Sequence, residues 1–150
     1  RKTTPGLRIL EKYATTCGGG FAHRMGLYDR VLIKDNHLAA MGISSANQFS
    51  DFLQRVKTQS ADLVLEVEID SIGYLEPALI ANVDAVLLDN FSAPEVHEAV
   101  TINQGRAVIE ASGGITLKNL REFSEAYPHF ISTGAPIHSS RWLDIGLDWE

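Results

Sequence analysis

The chain has 150 residues, of which 45% are hydrophobic, and this length and composition suffice for one domain with a buried core. Its net charge of -6 disfavours nucleic acid as a main partner, and no apolar run reaches the roughly 18 residues of a membrane span. Cys17 is the only cysteine, which excludes an internal disulfide, and no signal-peptide pattern is present. We therefore expect a protein of the cytoplasm that binds neither nucleic acid nor membrane.

Charge is unevenly distributed along the chain. Residues 1–37 contain seven Lys or Arg against three acids, whereas residues 38–150 contain six against sixteen. A basic first quarter in an acidic protein predicts a small anionic ligand, although a solvated surface charge is the favoured explanation for Arg8, Lys12 and Arg30. Three consecutive glycines at 18–20 lead into His23 and Arg24 within the same segment, so backbone freedom and polar chemistry are concentrated there.

The first predicted elements flank this glycine-rich segment. Thr4 is the predicted N-cap of a helix with Pro5 at its first helical position, and Gly18 is the predicted end of that helix. Residues 30–35 contain a short apolar run that is typical of a buried parallel strand. Ser44 or Ser45 can then cap a helix whose apolar face consists of Phe49, Phe52, Leu53 and Val56.

The rest of the chain repeats a strand followed by a helix. Strands are predicted at 63–69, 85–88, 107–111 and 130–133, with helices at about 72–81, 94–102 and 117–126. The strand starts recur every 22 or 23 residues, which predicts successive βαβ units in a parallel sheet. At the end, residues 142–149 alternate apolar and polar side chains and predict a closing strand or a surface for a partner.

Polar residues follow or end five of the predicted strands. In a (β/α) barrel the carboxyl ends of all strands form one ring around a single site, whereas an open doubly wound sheet gathers them only near a switch point. The pattern therefore favours a (β/α) barrel. A complete barrel has about 250 residues, so we expect an incomplete barrel here. The residues at these ends are Lys34, Glu68, Asp89, Asn90, 112–114 and Gly134.

Two glycine-containing turns predict a phosphate site. Ser112-Gly113-Gly114 follows one strand and Gly134 follows the next, and glycines let backbone N–H groups approach phosphate oxygens. The last strands of a barrel are where such sites recur, and His138 can donate to the same phosphate. Tight βα turns without any ligand explain each glycine singly, but the pair on adjacent strands favours phosphate.

Carboxylates on two neighbouring strands form a second candidate group. Glu66 and Glu68 lie two residues apart on one face of their strand, and Asp89 ends the following strand. Such carboxylates can coordinate Mg²⁺ through water, bind ribose hydroxyls, or stabilise positive charge that develops on a sugar carbon. For Glu66, farther from the strand end, a structural ion pair is an equally good explanation.

Cations near the glycine-rich segment form the third group. His23, Arg24 and Lys34, with Arg1 and Lys2 close by if the first helix packs back, make a pocket suited to carboxylates. Aldolase-type barrels, however, place a Schiff-base lysine at a strand end, and neighbouring cations would suit that role of Lys34 as well. The residues alone leave both alternatives open.

Seven motifs occur in a fixed order along nearly the whole chain. The most specific are Gly-Gly-Gly-x-x-His-Arg-x-Gly-Leu at 18–27 and Ile-Lys-Asp-Asn-His at 33–37. The others are Arg-Lys-Thr-Thr-Pro-Gly-Leu-Arg at 1–8, Glu-Val-Glu at 66–68, Leu-Leu-Asp-Asn at 87–90, Glu-Ala-Ser-Gly-Gly-Ile at 110–115 and Leu-Asp-Ile-Gly-Leu-Asp at 143–148. Together they resemble the quinolinate phosphoribosyltransferase family.

The resemblance implies that residues 1–150 are most of the α/β barrel of a type II phosphoribosyltransferase, a TIM-type catalytic domain, without the family's N-terminal α/β sandwich domain. It implies an Mg²⁺-dependent reaction of quinolinate with 5-phosphoribosyl 1-diphosphate that gives nicotinate mononucleotide, diphosphate and CO₂ in NAD biosynthesis. Family members are homo-oligomers, dimers or hexamers, in which a partner's N-terminal domain contributes an arginine. An inactive barrel fragment that needs its missing domain is therefore an alternative to an active enzyme.

The family's functional residues transfer to this chain position by position. The resemblance implies that Lys34, Glu68 and Asp89 are catalytic and that Glu68 and Asp89 serve the ribose and hold Mg²⁺ through water. Quinolinate carboxylates would be bound by Arg1, His23, Arg24 and Lys34. The phosphoribosyl diphosphate would be bound by Lys2, Glu68, Asp89, Ser112, Gly113, Gly134 and His138.

Overall fold

A computed structural model describes residues 3–141 and 143–149 of the chain. Its centre is a parallel sheet whose strands lie side by side in the order in which they occur along the chain. The predicted succession of βα units is thereby confirmed. The strands are β1 (Val31–Ile33), β2 (Leu65–Ile69), β3 (Ala85–Asp89), β4 (Val108–Ser112) and β5 (Phe130–Ile131).

Helices connect and flank the strands. They are α1 (Arg8–Cys17), α2 (Asp35–Ala40), α3 (Ala46–Gln59), α4 (Leu75–Ile80), α5 (Ala93–Asn103), α6 (Leu120–Glu125) and α7 (Ala135–His138), with a 3₁₀ turn at Ile72–Tyr74. Ser45 caps α3 as predicted, since its hydroxyl accepts a hydrogen bond from the backbone N–H of Gln48 at 3.3 Å. Within the described ranges, every helix is too short or too polar to cross a lipid bilayer.

Several predicted boundaries were wrong. The first helix begins at Arg8 rather than Pro5, because Gly6 has a φ of +82° and the Leu7 N–H closes a turn onto the Thr4 carbonyl. The helix after β4 begins at Leu120 rather than 117. The helix α2, directly after β1, was not predicted. Residues 143–149 form no strand and are exposed, and Trp142 lies outside the described residues.

The two faces of the sheet differ in polarity. Because consecutive side chains alternate across a strand, Leu65, Val67 and Ile69 of β2 point to the same face, where they join the buried apolar core. Right-handed crossovers in an unreversed strand order place all connecting helices on this face. The opposite face carries Glu66, Glu68, Leu87, Asp89, Glu110 and Ser112, which the register of the strands sets beside one another.

This arrangement matches part of a (β/α) barrel. The helices cover one face of the sheet with an apolar core, and the polar face corresponds to the barrel interior. In the described residues, β1 and β5 are edge strands, so these five strands form an open arc. The predicted incomplete barrel is confirmed, and its inner face is where the candidate site lies.

Candidate functional site

The carboxyl ends of β1 and β2 are joined by a lysine–glutamate pair. Lys34 follows β1 and its ammonium group donates to Glu68 Oε2, across neighbouring parallel strands. The helix α2 begins directly after Lys34 and holds its backbone, because the Lys34 N–H donates to His37 Nδ1 at 3.1 Å. A lysine that is paired with a carboxylate suits binding of an anion better than formation of a Schiff base.

Asp89 lies at the same edge, at the end of β3. Its carboxylate accepts a hydrogen bond from Asn90 Nδ2 at 2.8 Å, and in the strand register it lies opposite Ser112 of β4. Two carboxylates on adjacent strands are hard oxygen ligands of the kind that Mg²⁺ prefers. Because Glu68 is already paired with Lys34, the residues fit a magnesium ion that keeps several of its waters.

Deeper on the inner face, His23 lies between two buried glutamates. Its Nε2 is 3.4 Å from Glu110 Oε1 and 3.8 Å from Glu66 Oε2. The side chain of Glu66 is fully buried, and Arg30 Nη1 donates to its Oε2 at 3.0 Å. Ser132, which follows β5, donates to Glu110 Oε1. The structural ion pair considered for Glu66 is therefore present, with Arg30 as the partner.

Burial determines the charge of this cluster. The pKa of Glu110 is raised to about 7: burial is the largest cause, the hydrogen bond from Ser132 opposes the rise, and the neighbouring Glu66 adds to it. Burial also lowers the pKa of His23, against the attraction of Glu66, with Arg30 and Arg24 adding to the decrease. At neutral pH the imidazole is therefore uncharged, and its contacts with the glutamates are not ion pairs.

His23, Glu66 and Glu110 also have the geometry of a possible metal site, since one ligand atom from each lies within 4.8 Å of the others. The guanidinium of Arg30 occupies one oxygen of Glu66, and a cation bound to the cluster would lie beside this positive charge. We assign no metal to these three residues.

Of the remaining predicted cations, the structure describes one and leaves two outside the described residues. Arg24 is buried beside His23, and its charge contributes to the lowered pKa of the imidazole. His23 and Arg24 thus lie together as predicted, whereas Lys34 lies nearer the carboxyl edge, on Glu68. Arg1 and Lys2 lie outside the described residues.

The turn after β4 packs against the end of β3. Gly113 has a φ of +93°, and a β-carbon there would lie 2.3 Å from Asn90 Oδ1 and 2.6 Å from Asn90 N. The Asn90 N–H donates to the Ser112 carbonyl at 2.9 Å. The sequence reasoning assigned Gly113 to phosphate binding, and the structure adds that the residue has no room for a side chain.

The turn after β5 brings Gly134 and His138 together. A β-carbon on Gly134 would lie 2.6 Å from His138 Nε2, so the imidazole lies over this glycine. Thr133 steadies the turn, because its hydroxyl donates to the Ile115 carbonyl and accepts from the Ala135 N–H. Two glycine turns and an exposed imidazole thus lie at the ends of β4 and β5, and the assignment of a phosphate to them stays a prediction.

Replacing Gly113 with alanine is expected to lower the free energy of unfolding by about 2 kcal/mol, because the change combines a left-handed backbone with the Asn90 clash. Gly114→Ala is the matched control: its φ is +61°, but a β-carbon there meets no atom within 4 Å. Urea denaturation measures both. Equal losses for the two variants would show that the contact with Asn90 carries no energetic weight.

Sequence reasoning missed Glu110 and Arg30 as parts of this inner face. Glu110 lies inside a run of apolar residues, and its acidic side chain in an otherwise buried strand was the available signal. Arg30 was predicted to be a solvated surface charge, but it pairs with the buried Glu66. Glu66 and Glu110 lie on strands separated by β3, so they come together only in the assembled sheet, where both point to the inner face.

Comparison with known proteins gives a consistent result. The sequence model of the family described as quinolinate phosphoribosyl transferase, C-terminal domain, matches residues 1–148. The nicotinate-nucleotide pyrophosphorylase (carboxylating) of Mycobacterium leprae is 43% identical over 151 residues, which cover 99% of this chain and 51% of that protein. Its human counterpart is 39% identical over 155 residues, covering 98% and 49%.

Solved structures agree with the sequence matches. The nicotinate-nucleotide pyrophosphorylase of Ehrlichia chaffeensis superposes with a TM-score of 0.89 and 41% identity, over 99% of this chain and 52% of that one. This chain spans about half the length of the curated relatives that it matches.

Proposed function

The chain belongs to the quinolinate phosphoribosyltransferase family, and from this we propose that the protein transfers the phosphoribosyl group of 5-phosphoribosyl 1-diphosphate to quinolinate. The products are nicotinate mononucleotide, diphosphate and CO₂, a step of NAD biosynthesis. One observation carries the proposal beyond family membership: the inner face presents cations, carboxylates and glycine turns side by side at the ends of consecutive strands. These three groups match a dicarboxylate, a ribose that gains positive charge, and a phosphate.

We assign the carboxylates of quinolinate to His23, Arg24 and Lys34, together with Arg1. Arginine binds a carboxylate through two parallel hydrogen bonds, whereas lysine acts as a point charge. In the ligand-free protein Lys34 is paired with Glu68. A dianion bound at His23 and Arg24 draws the Lys34 ammonium toward itself, and Glu68 is then available to the ribose.

Glu68 and Asp89 stabilise the positive charge that develops on the sugar as diphosphate departs. Mg²⁺, which Glu68 and Asp89 would hold through water, supplies neutralisation of the diphosphate charge. Lys2 contributes a further cation for the diphosphate, and the 5-phosphate is held by Ser112, Gly113, Gly134 and His138. The pyridine nitrogen then attacks the anomeric carbon, and the positive ring nitrogen favours loss of CO₂. The protein contributes positioning and electrostatics, and it needs no covalent nucleophile.

The same family membership supports a proposal about the whole protein. We place residues 1–150 as most of the catalytic barrel domain, which in the complete enzyme follows an N-terminal α/β sandwich domain. The complete enzyme is a homo-oligomer, a dimer or hexamer, in the cytoplasm, and a partner subunit completes the site. The activity of this chain on its own is therefore expected to be far below that of the full-length protein.

Release of CO₂ from carboxyl-labelled quinolinate tests the proposal. We expect release from the full-length protein only when 5-phosphoribosyl 1-diphosphate and Mg²⁺ are both present, and little release from residues 1–150 alone. If the full-length protein shows no CO₂ release that depends on 5-phosphoribosyl 1-diphosphate, the proposed transferase activity is refuted. Borohydride treatment separates the aldolase alternative, because a substrate trapped covalently on Lys34 would establish a Schiff base.

A further inference from the structure

Glu110 has no assigned part in the reaction, yet it is the nearer to His23 of the two buried glutamates. Its carboxyl oxygen Oε1 lies 3.4 Å from His23 Nε2, and only 6% of the residue is exposed. The neighbouring Glu66 is fully buried, and its Oε1 has no hydrogen-bond partner in the described part of the chain. A buried carboxylate oxygen without a partner is costly, so a nearby donor would stabilise it.

A proton on Glu110 supplies that donor. Glu66 is anionic beside Arg30, and one of its carboxylate oxygens is among the atoms that lie within 4.8 Å of one another in the cluster with Glu110 and His23. Two ionised carboxylates at this separation repel each other, whereas a carboxyl and a carboxylate attract. Arg30 donates to Glu66, which makes Glu110 the better placed of the two acids to hold a proton, and burial raises the pKa of Glu110 to about 7.

We propose that Glu110 is a positioning residue: as a neutral carboxyl it donates to Glu66 and holds His23 in place, and its ionisation opposes binding of a dicarboxylate at His23 and Arg24. This inference rests on the proposed function. The physical reason is charge: an ionised Glu110 would place a negative group 3.4 Å from the imidazole that receives the dianion.

In the described part of the chain, the groups that face Glu110 and His23 come from several elements. His23 in the glycine-rich segment lies 3.4 Å from Glu110, Glu66 on β2 lies within 4.8 Å of it, and Ser132 after β5 donates to it. Three cations favour the ionised form of Glu110 or the neutral form of His23. They are Arg30 before β1, Arg24 beside His23 and Lys12 of α1.

Quinolinate binding to the full-length protein, measured by calorimetry between pH 6 and pH 8, tests the proposal. If only the protonated form of Glu110 binds, affinity at pH 8 should be about fivefold weaker than at pH 7, because the competent fraction falls from about one half to about one tenth. Binding should also take up a fraction of a proton near pH 7, seen as a dependence of the heat on the buffer. Glu110→Gln, which is neutral at every pH and keeps an N–H donor, should flatten the profile and hold affinity at pH 8.

Glu98→Gln on α5 is the matched control, since Glu98 is exposed and lies away from the inner face. This variant should show the same pH dependence of quinolinate affinity as the unsubstituted protein. Glu110→Ala should bind quinolinate weakly at every pH, because alanine supplies neither a hydrogen-bond donor nor the shape of the glutamate side chain. Equal affinity of the unsubstituted protein at pH 6 and pH 8, without proton uptake, would overturn the proposal even if the transferase activity is established.

Carbon-13 NMR of the glutamate carboxyls in the ligand-free protein provides a second readout that does not depend on quinolinate. We expect the signal that disappears in Glu110→Gln to titrate near pH 7. A Glu110 that is already ionised at pH 5 would overturn the inference. Absence of quinolinate binding at every pH would instead refute the proposed substrate, while the carboxyl titration still decides the protonation of Glu110.

Discussion

Replacing Lys34 with alanine in the full-length protein is expected to weaken quinolinate binding by about 30-fold or more, equivalent to about 2 kcal/mol or more. Two effects add. The ligand carboxylate loses its ammonium partner, and Glu68, whose side chain is only 12% exposed, keeps its negative charge without the cation that now neutralises it. An unpaired negative charge at the edge of the site repels a dianion. Calorimetric titration with quinolinate measures the affinity directly.

Lys57→Ala is a matched control for this prediction. Lys57 also donates to a partly buried carboxylate, Asp84, but it does so on α3, away from the inner face. We expect Lys57→Ala to affect stability and to leave quinolinate affinity close to that of the unsubstituted protein. If Lys34→Ala binds quinolinate with unchanged affinity, the assignment of Lys34 to the dicarboxylate is wrong, whatever the catalytic rate.

Arg30→Met is expected to have the largest effect on stability, a loss of about 3 kcal/mol in the free energy of unfolding at neutral pH. Methionine keeps much of the apolar stem but removes the guanidinium that donates to Glu66. Glu66 is fully buried, so its charge would lose its compensating partner in a place that water does not reach. Urea denaturation, with the midpoint and slope fitted separately, measures the loss.

A second substitution separates the effect of the unpaired Glu66 charge from the effect of lost packing. The double variant Arg30→Met with Glu66→Gln removes the buried charge as well, and we expect it to recover most of the stability that the single variant loses. Arg121→Met is the surface comparison, because the Arg121–Glu125 pair is exposed and should contribute little. A double variant no more stable than Arg30→Met would mean that lost packing, rather than the unpaired carboxylate, causes the destabilisation.

The sequence predicted the order of the elements well, because the apolar strands and the amphipathic helices alternate at regular spacing. It predicted the cap at Ser45, whose side chain meets a local N–H group. Prediction from the sequence failed where contacts between distant residues, or a single dihedral angle, determine the local structure. Thr4 and Pro5 form a helix start by local preference, but the positive φ of Gly6 places them in a turn. The helix α2 is short, and its polar sequence after Lys34 carries no apolar periodicity.

The candidate site divides in the same way. Residues at strand ends, such as Glu68 and Asp89, are predictable because a parallel sheet brings all its carboxyl ends to one edge. The residues that lie deeper on the inner face cannot be predicted from sequence spacing. Glu110 and Arg30 both interact with Glu66, which lies 44 positions from Glu110 and 36 positions from Arg30 in the chain. These interactions depend on register and burial. Their roles follow only once the sheet is assembled.

The sequential order of the strands bears on how the protein folds during synthesis. Because each strand pairs only with its neighbours along the chain, the sheet can grow from β1 toward β5 while the ribosome is still releasing the later units. The segment with His23 and Lys34 emerges first, and the turns around Gly113 and Gly134 emerge last. A nascent chain halted after β3 would therefore carry Lys34, Glu68 and Asp89 before the turns around Gly113 and Gly134 exist.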